Sequence, residues 1–143
     1  MITQPELEAL RALWAEKCGG KPLPPPAAFD APALGRSREH AGWVDVEEDQ
    51  SKFCFRWIGA WLAARWNAPT TSHSPEDLST EIGATLRADL VRALLLKTPV
   101  FTLRPPFPRA DETQFSELIL PLSSDGDTID ALLVAAYPLA KEN

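Results

Sequence analysis

The chain has 143 residues, of which 45% are hydrophobic and 24% are charged, and its formal net charge is −6. A chain of this length fits one domain whose core needs neither a disulfide nor a metal ion for stability. Nucleic-acid binding is disfavoured, because a phosphate backbone requires concentrated positive charge and the 14 basic residues are outnumbered and form no cluster.

Targeting and redox features predict a cytoplasmic protein. The first residues lack the basic and apolar regions of a signal peptide, and no apolar run is long enough to span a bilayer. The two cysteines, Cys18 and Cys54, belong to no paired-cysteine metal motif. A disulfide between them stays open from the sequence alone, but a reduced protein is the simpler interpretation.

A first helix is predicted over residues 4–17, with a capping box formed by Thr3 and Glu6 at its start and a glycine pair at its end. Its apolar residues recur at helical spacing and are Leu7, Leu10, Leu13 and Trp14. The stripe is narrow and the back is polar, so this helix must dock either on its own domain or on a second copy. For the second case, the candidate dimer-interface residues are Leu7, Leu10 and Trp14.

The next segment, residues 21–32, is dense in proline. Proline fixes the backbone and removes a hydrogen-bond donor, so an extended connector is predicted here rather than a helix or strand. A ligand for SH3-type domains is the alternative interpretation. Residues 1–35 are therefore assigned to an N-terminal helix and connector, and residues 36–143 to the main domain.

Two short strands are predicted at residues 43–46 and 53–59, joined by an acidic turn. Side chains alternate along a strand, so one face of the second strand is expected to carry Phe53, Phe55 and Trp57. The other face is then expected to carry Cys54, Arg56 and Ile58. Since both faces are bulky, this strand is expected to be covered at least partly on both sides.

The middle of the chain changes to helical spacing. A short helix is expected after Gly59, and Ser74 followed by proline is a helix-start signature. The longest helix is predicted at residues 81–97, with apolar residues stepping by four and a stop imposed by Pro99.

Three strands complete the chain, at residues 100–104, 115–122 and 128–134, and the last two flank a turn centred on Asp125-Gly126. Strands separated by a helical block indicate an α+β fold. The expected architecture is a five-stranded antiparallel sheet with helices on one face, preceded by an N-terminal helical cap.

Several motifs occur in a fixed order along the chain. The first helix bears Trp14 and leads into Gly-Gly-Lys-Pro-Leu-Pro at residues 19–24. The second strand reads aromatic-x-aromatic-Arg-x-x-Gly and ends at Gly59. A Pro-Val step follows the long helix, and the final hairpin reads Leu-Pro-Leu-Ser-Ser-Asp-Gly at residues 120–126.

Together with the order of elements, these motifs resemble the PAS domain superfamily, and within it the small stand-alone PAS-type family common in alphaproteobacteria. The resemblance covers about residues 6–137. The chain departs from the family pattern at Ala60, where threonine is usual, and at residues 67–70, which replace an Asp/Thr-Gly pair. The helical side of any pocket is therefore expected to differ from that of its relatives.

Neither histidine predicts a catalytic or metal site. His40 lies just before the first strand and is expected to be a solvated loop residue. His73 lies in a loop that borders the cavity of PAS folds, so haem ligation is the alternative to an exposed loop histidine. Ser74 is better explained as a helix cap than as a nucleophile, because neighbouring residues cannot align it with an imidazole and a carboxylate. We therefore expect no catalytic residues, no metal site and no enzymatic activity.

The aromatic residues and one arginine are the remaining candidates for a binding site. Most are expected in the core, but five tryptophans in one small domain indicate a pocket or interface role for one or two. Arg56 requires an acidic or carbonyl partner, so it forms either a structural salt bridge or an anchor for an anionic ligand. The predicted ligand-binding residues are Phe55, Arg56, Trp57, Trp61, Trp66, Leu90, Leu94 and Leu118.

The resemblance implies a sensory or regulatory domain that binds a small molecule and signals through another protein. Its partner is then a second copy or a separate signalling chain, with neither nucleic acid nor membrane involved. The alternative is a ligand-free interaction module that dimerises. The sequence identifies neither a cofactor nor a ligand.

Overall fold

Five strands and four helices form the described part of the chain. The computed structural model describes residues 4–47, 49–104 and 115–138. The strands are β1 (Ala41–Glu47), β2 (Lys52–Ile58), β3 (Val100–Arg104), β4 (Phe115–Leu122) and β5 (Ala131–Pro138). The helices are α1 (Pro5–Lys17), α2 (Ala31–Leu34), α3 (Ala60–Arg65) and α4 (Thr80–Leu96), and 3₁₀ turns cover Pro26–Phe29, Gly35–His40 and Pro75–Asp77.

The strands form one antiparallel sheet in the order β2-β1-β5-β4-β3. The last strand therefore lies in the middle of the sheet beside the first, with Gly42 opposite Val134. β4 pairs with β5 over the whole length of both strands. The predicted five-stranded antiparallel sheet is confirmed, and β5 begins later than expected because a longer loop precedes it.

A β-bulge in β2 changes the predicted facing of its side chains. Phe55 and Trp57 lie opposite consecutive residues of β1, so Arg56 is the extra residue in this register. A bulge reverses the alternation of the strand. Phe53 and Phe55 consequently pack on the α4 side of the sheet, and Trp57 packs on the opposite side. The prediction that these three aromatics share one face is wrong for Trp57, because residue periodicity does not reveal a bulge.

Helices cover the sheet on both faces. On one face α3 and α4 form a core that includes Leu62 and Leu90, both 0% exposed. On the other face α1 packs over β4 and β5, and Phe29 and the α2 residue Leu34 are buried in the same core. The expected helices on one face and the expected N-terminal helical cap are both confirmed.

The apolar stripe of α1 packs against the sheet of its own chain. Leu7 and Leu10 are 0% and 5% exposed in the core that also contains Leu118. The indole N–H of Trp14 donates a hydrogen bond of 2.7 Å to the carbonyl of Pro121. Of the two docking options, the structure shows docking of α1 on its own domain. A dimer interface through Leu7, Leu10 and Trp14 would therefore require α1 to leave the sheet.

The N-terminal segment differs from its prediction in two details. Gln4 caps α1, because its side-chain oxygen accepts from the Leu7 N–H over 2.9 Å, and Thr3 lies outside the described residues. The connector is not wholly extended, since it contains the turn Pro26–Phe29 and the helix α2. Proline fits the first turn of a helix, where its missing N–H is not needed. The division of the chain at residue 35 stays a prediction.

The loop between β4 and β5 is organised around Asp125. Its Oδ1 atom accepts hydrogen bonds from the backbone N–H groups of Asp127 and Thr128, each over 2.8 Å, and interacts with the Ser123 hydroxyl at 2.7 Å. Gly126 has φ +87°, a conformation that glycine adopts without a Cβ clash. These bonds, led by the one from Thr128, lower the pKa of Asp125 from 3.8 to about 2.

Replacing Asp125 with asparagine is expected to make folding stability less dependent on pH in acid. A lowered folded-state pKa stabilises the fold above the unfolded-state value near 3.8, and this contribution is lost as pH falls through about 2. The stability gap between wild type and Asp125→Asn should thus shrink between pH 4 and pH 2 in urea unfolding. Asp127→Asn is the matched control, since Asp127 joins these bonds through its backbone. A constant gap would contradict the prediction.

Candidate functional site

A cavity of about 490 Å³ lies between α3, α4 and the start of β4. Its volume falls within the range of about 300–1,000 Å³ that is usual for small-molecule sites. Its apolar lining residues are Trp66, Ile82, Ala84, Leu86 and Phe115. Its polar lining residues are Arg65, Thr80, Glu81, Thr85 and Glu117.

The first half of α4 supplies most of this lining, and local sequence fixes where it begins. Ser79 is the N-cap and its hydroxyl accepts from the Ile82 N–H over 3.4 Å. Gly83 permits close contact with the preceding 3₁₀ turn, since a Cβ atom there would lie 2.3 Å from the Pro75 carbonyl oxygen. Lys97 ends the helix in a left-handed conformation.

One carboxylate lies deep in the cavity wall. Glu117 is 2% exposed and alternates along β4 with Phe115 and Ile119, which belong to the core on the α4 side. Its neighbours across the sheet are Thr102 on β3 and Ala136 on β5. A buried carboxylate is costly to desolvate, so a charged residue in this apolar row is a marked feature of the site.

One guanidinium lies at the end of α3. Arg65 lines the cavity, and its charged group sits over the Trp61 ring at 5.3 Å from the ring centre. Arginine commonly stacks in this way, because its planar cation is attracted to the electron-rich face of an indole. The cavity wall therefore contains side chains of both signs.

Trp61 connects this wall to a column of stacked rings. The His40 ring stacks on Trp61 at 4.3 Å and on Tyr137 at 3.9 Å between centroids. The His40 Nδ1 atom lies 2.9 Å from the Ala136 carbonyl oxygen, and the Tyr137 hydroxyl lies 2.8 Å from that of Ser37. The expectation that His40 is a solvated loop residue is wrong, because its ring is partly buried between two aromatic side chains.

The predicted ligand-binding residues are divided between the two faces of the sheet. Of the eight, all of which the structure describes, Trp66 lines the cavity. Phe55 packs beside it at 5.7 Å, and Trp61 contacts Arg65. Leu90 and Leu94 belong to the packed core on the same face, away from the cavity lining. Trp57 and Leu118 face the α1 side instead.

Arg56 also lies on the α1 side. Its guanidinium forms a salt bridge with Asp45 at 3.0 Å and sits 5.6 Å from the centre of the Trp43 ring. The side chain is 61% exposed, so this pair lies near solvent at the β2 edge of the sheet. Of the two interpretations of Arg56, the structure shows the salt bridge, at a place remote from the cavity.

Sequence reasoning did not select the three charged residues of the cavity lining, which are Arg65, Glu81 and Glu117. Glu117 could have been found, because it alternates along its strand with Phe115 and Ile119 and therefore lies on the same face as these apolar residues. Arg65 ends a short helix and carries no comparable signal. His73 is exposed and contributes its backbone instead, donating to Asp77 over 2.9 Å and accepting from Phe55 over 2.6 Å.

Within residues 4–47, 49–104 and 115–138, no three side chains of His, Cys, Asp or Glu converge as metal ligands. Over the same ranges, no helix has the length and apolar character needed to cross a membrane.

Comparison with known proteins gives structural matches alone. No family model and no curated protein matches the chain. The sensory box sensor histidine kinase of Vibrio cholerae matches with a TM-score of 0.53 and 16% identity, over 71% of this chain and 83% of that chain. The chain has a PAS-type fold. The LOV protein of Rhodobacter sphaeroides, at 17% identity, matches over 96% of this chain and 70% of its own, with a TM-score of 0.44.

The PAS-type fold agrees with the order of elements and with the motifs of the sequence. The strand order places β1 and β5, the first and last strands along the chain, next to each other in the sheet. The cavity lies on the α4 face of this PAS-type sheet, between α3, α4 and β4. The narrower resemblance to the stand-alone alphaproteobacterial family stays a prediction.

Proposed function

We propose that this chain is a sensory PAS-type domain that binds a small molecule and signals through another protein. The observation that carries the proposal is the cavity of about 490 Å³, with an apolar wall and a few polar groups. This combination is the usual composition of a small-molecule site, in which apolar contact gives affinity and polar groups fix orientation. A cytoplasmic location is part of the proposal.

Binding without catalysis is the second part of the proposal. General acid–base and nucleophilic chemistry most often uses histidine or cysteine. His40, His73, Cys18 and Cys54 all lie outside the cavity lining. The lining instead offers a guanidinium, carboxylates and threonine hydroxyls beside apolar side chains, which suits recognition of a ligand.

A ligand-free interaction module is the second candidate. Large apolar side chains that are strongly exposed favour it, namely Leu95 at 78%, Leu96 at 55% and Leu103 at 55% exposure. Exposed apolar surface is the common property of protein-binding patches. This candidate requires no occupied cavity, so the two functions are separable by experiment.

The first test is native mass spectrometry of the protein purified from a cellular host, compared with the denatured sample. Wild type is expected to lose mass on denaturation, because a bound small molecule is released. Ala84→Trp should abolish this loss, since Ala84 lines the cavity and an indole there would occupy it. Ala88→Trp is the matched control, one turn further along α4 at another exposed position.

The outcomes of this test separate the two candidates. A molecule retained by wild type and by Ala88→Trp, but not by Ala84→Trp, supports a ligand-binding sensor. An empty wild-type protein at twice the chain mass supports an interaction module that dimerises. A molecule retained equally by all three proteins would place the binding site outside this cavity and contradict the proposal.

A further inference from the structure

Two charged side chains of the cavity lining are already engaged within the protein. Arg65 and Glu117 both line the cavity, and each of them interacts with another group of the chain. The Arg65 guanidinium also sits over the Trp61 ring, at 5.3 Å from the ring centre. Glu117 is 2% exposed, and a carboxylate so far from water is stable only because it has a partner. These two charges therefore stabilise the cavity wall itself.

The other polar groups of the lining lie in the first turns of α4. The Thr85 hydroxyl donates a hydrogen bond of 2.8 Å to the Glu81 carbonyl oxygen. The Glu81 side chain is exposed, so water and salt screen its charge. It also lies in the first turn of α4, where the helix dipole stabilises a carboxylate. Glu81 therefore attracts a charged ligand only weakly.

The rest of the wall is aromatic and branched aliphatic surface, and it favours an apolar ligand. The buried side chains that provide this surface are Trp66, Ile82, Leu86 and Phe115. A charged ligand would lose its water on entry, and moving a charge out of water costs far more than moving a hydroxyl. To compensate such a charge, Arg65 or Glu117 would have to rearrange contacts that it already makes. An uncharged ligand leaves those contacts intact.

Building on the proposed function, we propose that the cavity binds an uncharged, largely apolar small molecule. Its body packs on Trp66, Leu86 and Phe115. The Thr85 oxygen keeps lone pairs that can accept a hydrogen bond from a single hydroxyl of the ligand. Carboxylates, phosphates and amines are thereby excluded as the natural ligand class. Such a ligand also crosses lipid bilayers unaided, because it has no charge to desolvate.

The test uses three probes that share a phenyl ring on a three-carbon chain and differ in their end group. At pH 7 the alcohol 3-phenyl-1-propanol is uncharged, 3-phenylpropylamine is a cation and 3-phenylpropionate is an anion. Titration calorimetry is expected to show the alcohol binding at least about tenfold more tightly than either charged probe. Because the apolar body is nearly constant, this difference reports the cost of the charge.

The variants Ala84→Trp and Ala88→Trp assign this binding to the cavity. Both positions are exposed on α4, but Ala84 lines the cavity. Ala84→Trp should bind the alcohol at least about tenfold more weakly than wild type, and Ala88→Trp should bind it as wild type does. Far-UV circular dichroism verifies that both variants are folded, and the wild-type probe series is informative without them.

The failures of the two proposals are distinguishable. A charged probe that binds as tightly as the alcohol overturns the uncharged ligand and leaves the sensor. A molecule retained from the host is a second readout, because its mass and fragments identify it. An uncharged molecule supports the inference, and a carboxylate, phosphate or amine overturns the ligand class alone. Unchanged binding of the alcohol by Ala84→Trp overturns the assignment to this cavity. An empty native protein that also binds no probe overturns the proposed function itself.

Discussion

Replacing Gly59 with alanine is expected to lower the free energy of unfolding by about 3 kcal/mol, the upper end of the usual overpacking range. The added Cβ would lie 2.3 Å from the Arg38 carbonyl oxygen and 2.4 Å from that of Glu39. Both contacts are to backbone, so no side chain can turn away to relieve them. The φ of Gly59 is −66°, which any residue adopts, so the requirement for glycine here is one of space.

Urea unfolding measures this loss, with Ala60→Ser as the control at the exposed neighbouring position. Such a surface change usually alters stability by less than about 0.5 kcal/mol. Near-UV circular dichroism should also change in Gly59→Ala. The displaced carbonyls directly precede His40, whose ring stacks on Trp61 and Tyr137 in the wild-type protein. Stability within about 1 kcal/mol of wild type would mean that this backbone moves aside at little cost.

Truncation of Leu118 to alanine is expected to cost about 3 kcal/mol, since buried leucine-to-alanine changes typically cost 2–5 kcal/mol. Leu118 is 0% exposed and lies in the core under α1, on the face of the sheet opposite the cavity. The resulting void should loosen the docking of α1. The cavity wall is expected to keep its shape, because side chains of neighbouring strand residues point to opposite faces.

Leu86→Ala is the matched comparison for this variant. Leu86 is also buried, at 2% exposure, but it lines the cavity. Both variants should lose similar stability in urea unfolding. Native mass spectrometry should show that Leu118→Ala keeps the small molecule retained by wild type and that Leu86→Ala retains less of it. Equal losses of the molecule from both variants would show that the two faces of the sheet are coupled.

Elements governed by local patterns were predictable from the sequence. The strand at residues 100–104 has the bounds of β3, and the long helix differs from α4 by one residue at each end. Both are bounded by strong signals, a serine cap before α4 and a proline before β3. The N-terminal cap was predictable as a helix. Its apolar stripe, which includes Leu7 and Leu10, did not reveal whether the helix docks on its own sheet or on a second copy of the chain.

The site depends on features that no local pattern contains. The cavity arises where α3, α4 and β4 fail to fill the space between them, and its lining spans residues 65–117. Aromatic composition directed attention to Trp57, but the bulge at Arg56 turns that ring to the other face. Glu117 shares its face of β4 with Phe115 and Ile119, a signal that becomes decisive once the pairing of both neighbouring strands is known.

The ring column beginning at Trp61 has an optical consequence. Its indole touches the Arg65 guanidinium of the cavity wall and also the imidazole of His40. Indole emission responds to nearby charge and to stacking, so an occupant that moves Arg65 is expected to change the fluorescence of Trp61. Because the chain has five tryptophans, a variant that keeps Trp61 alone would report this change without a label.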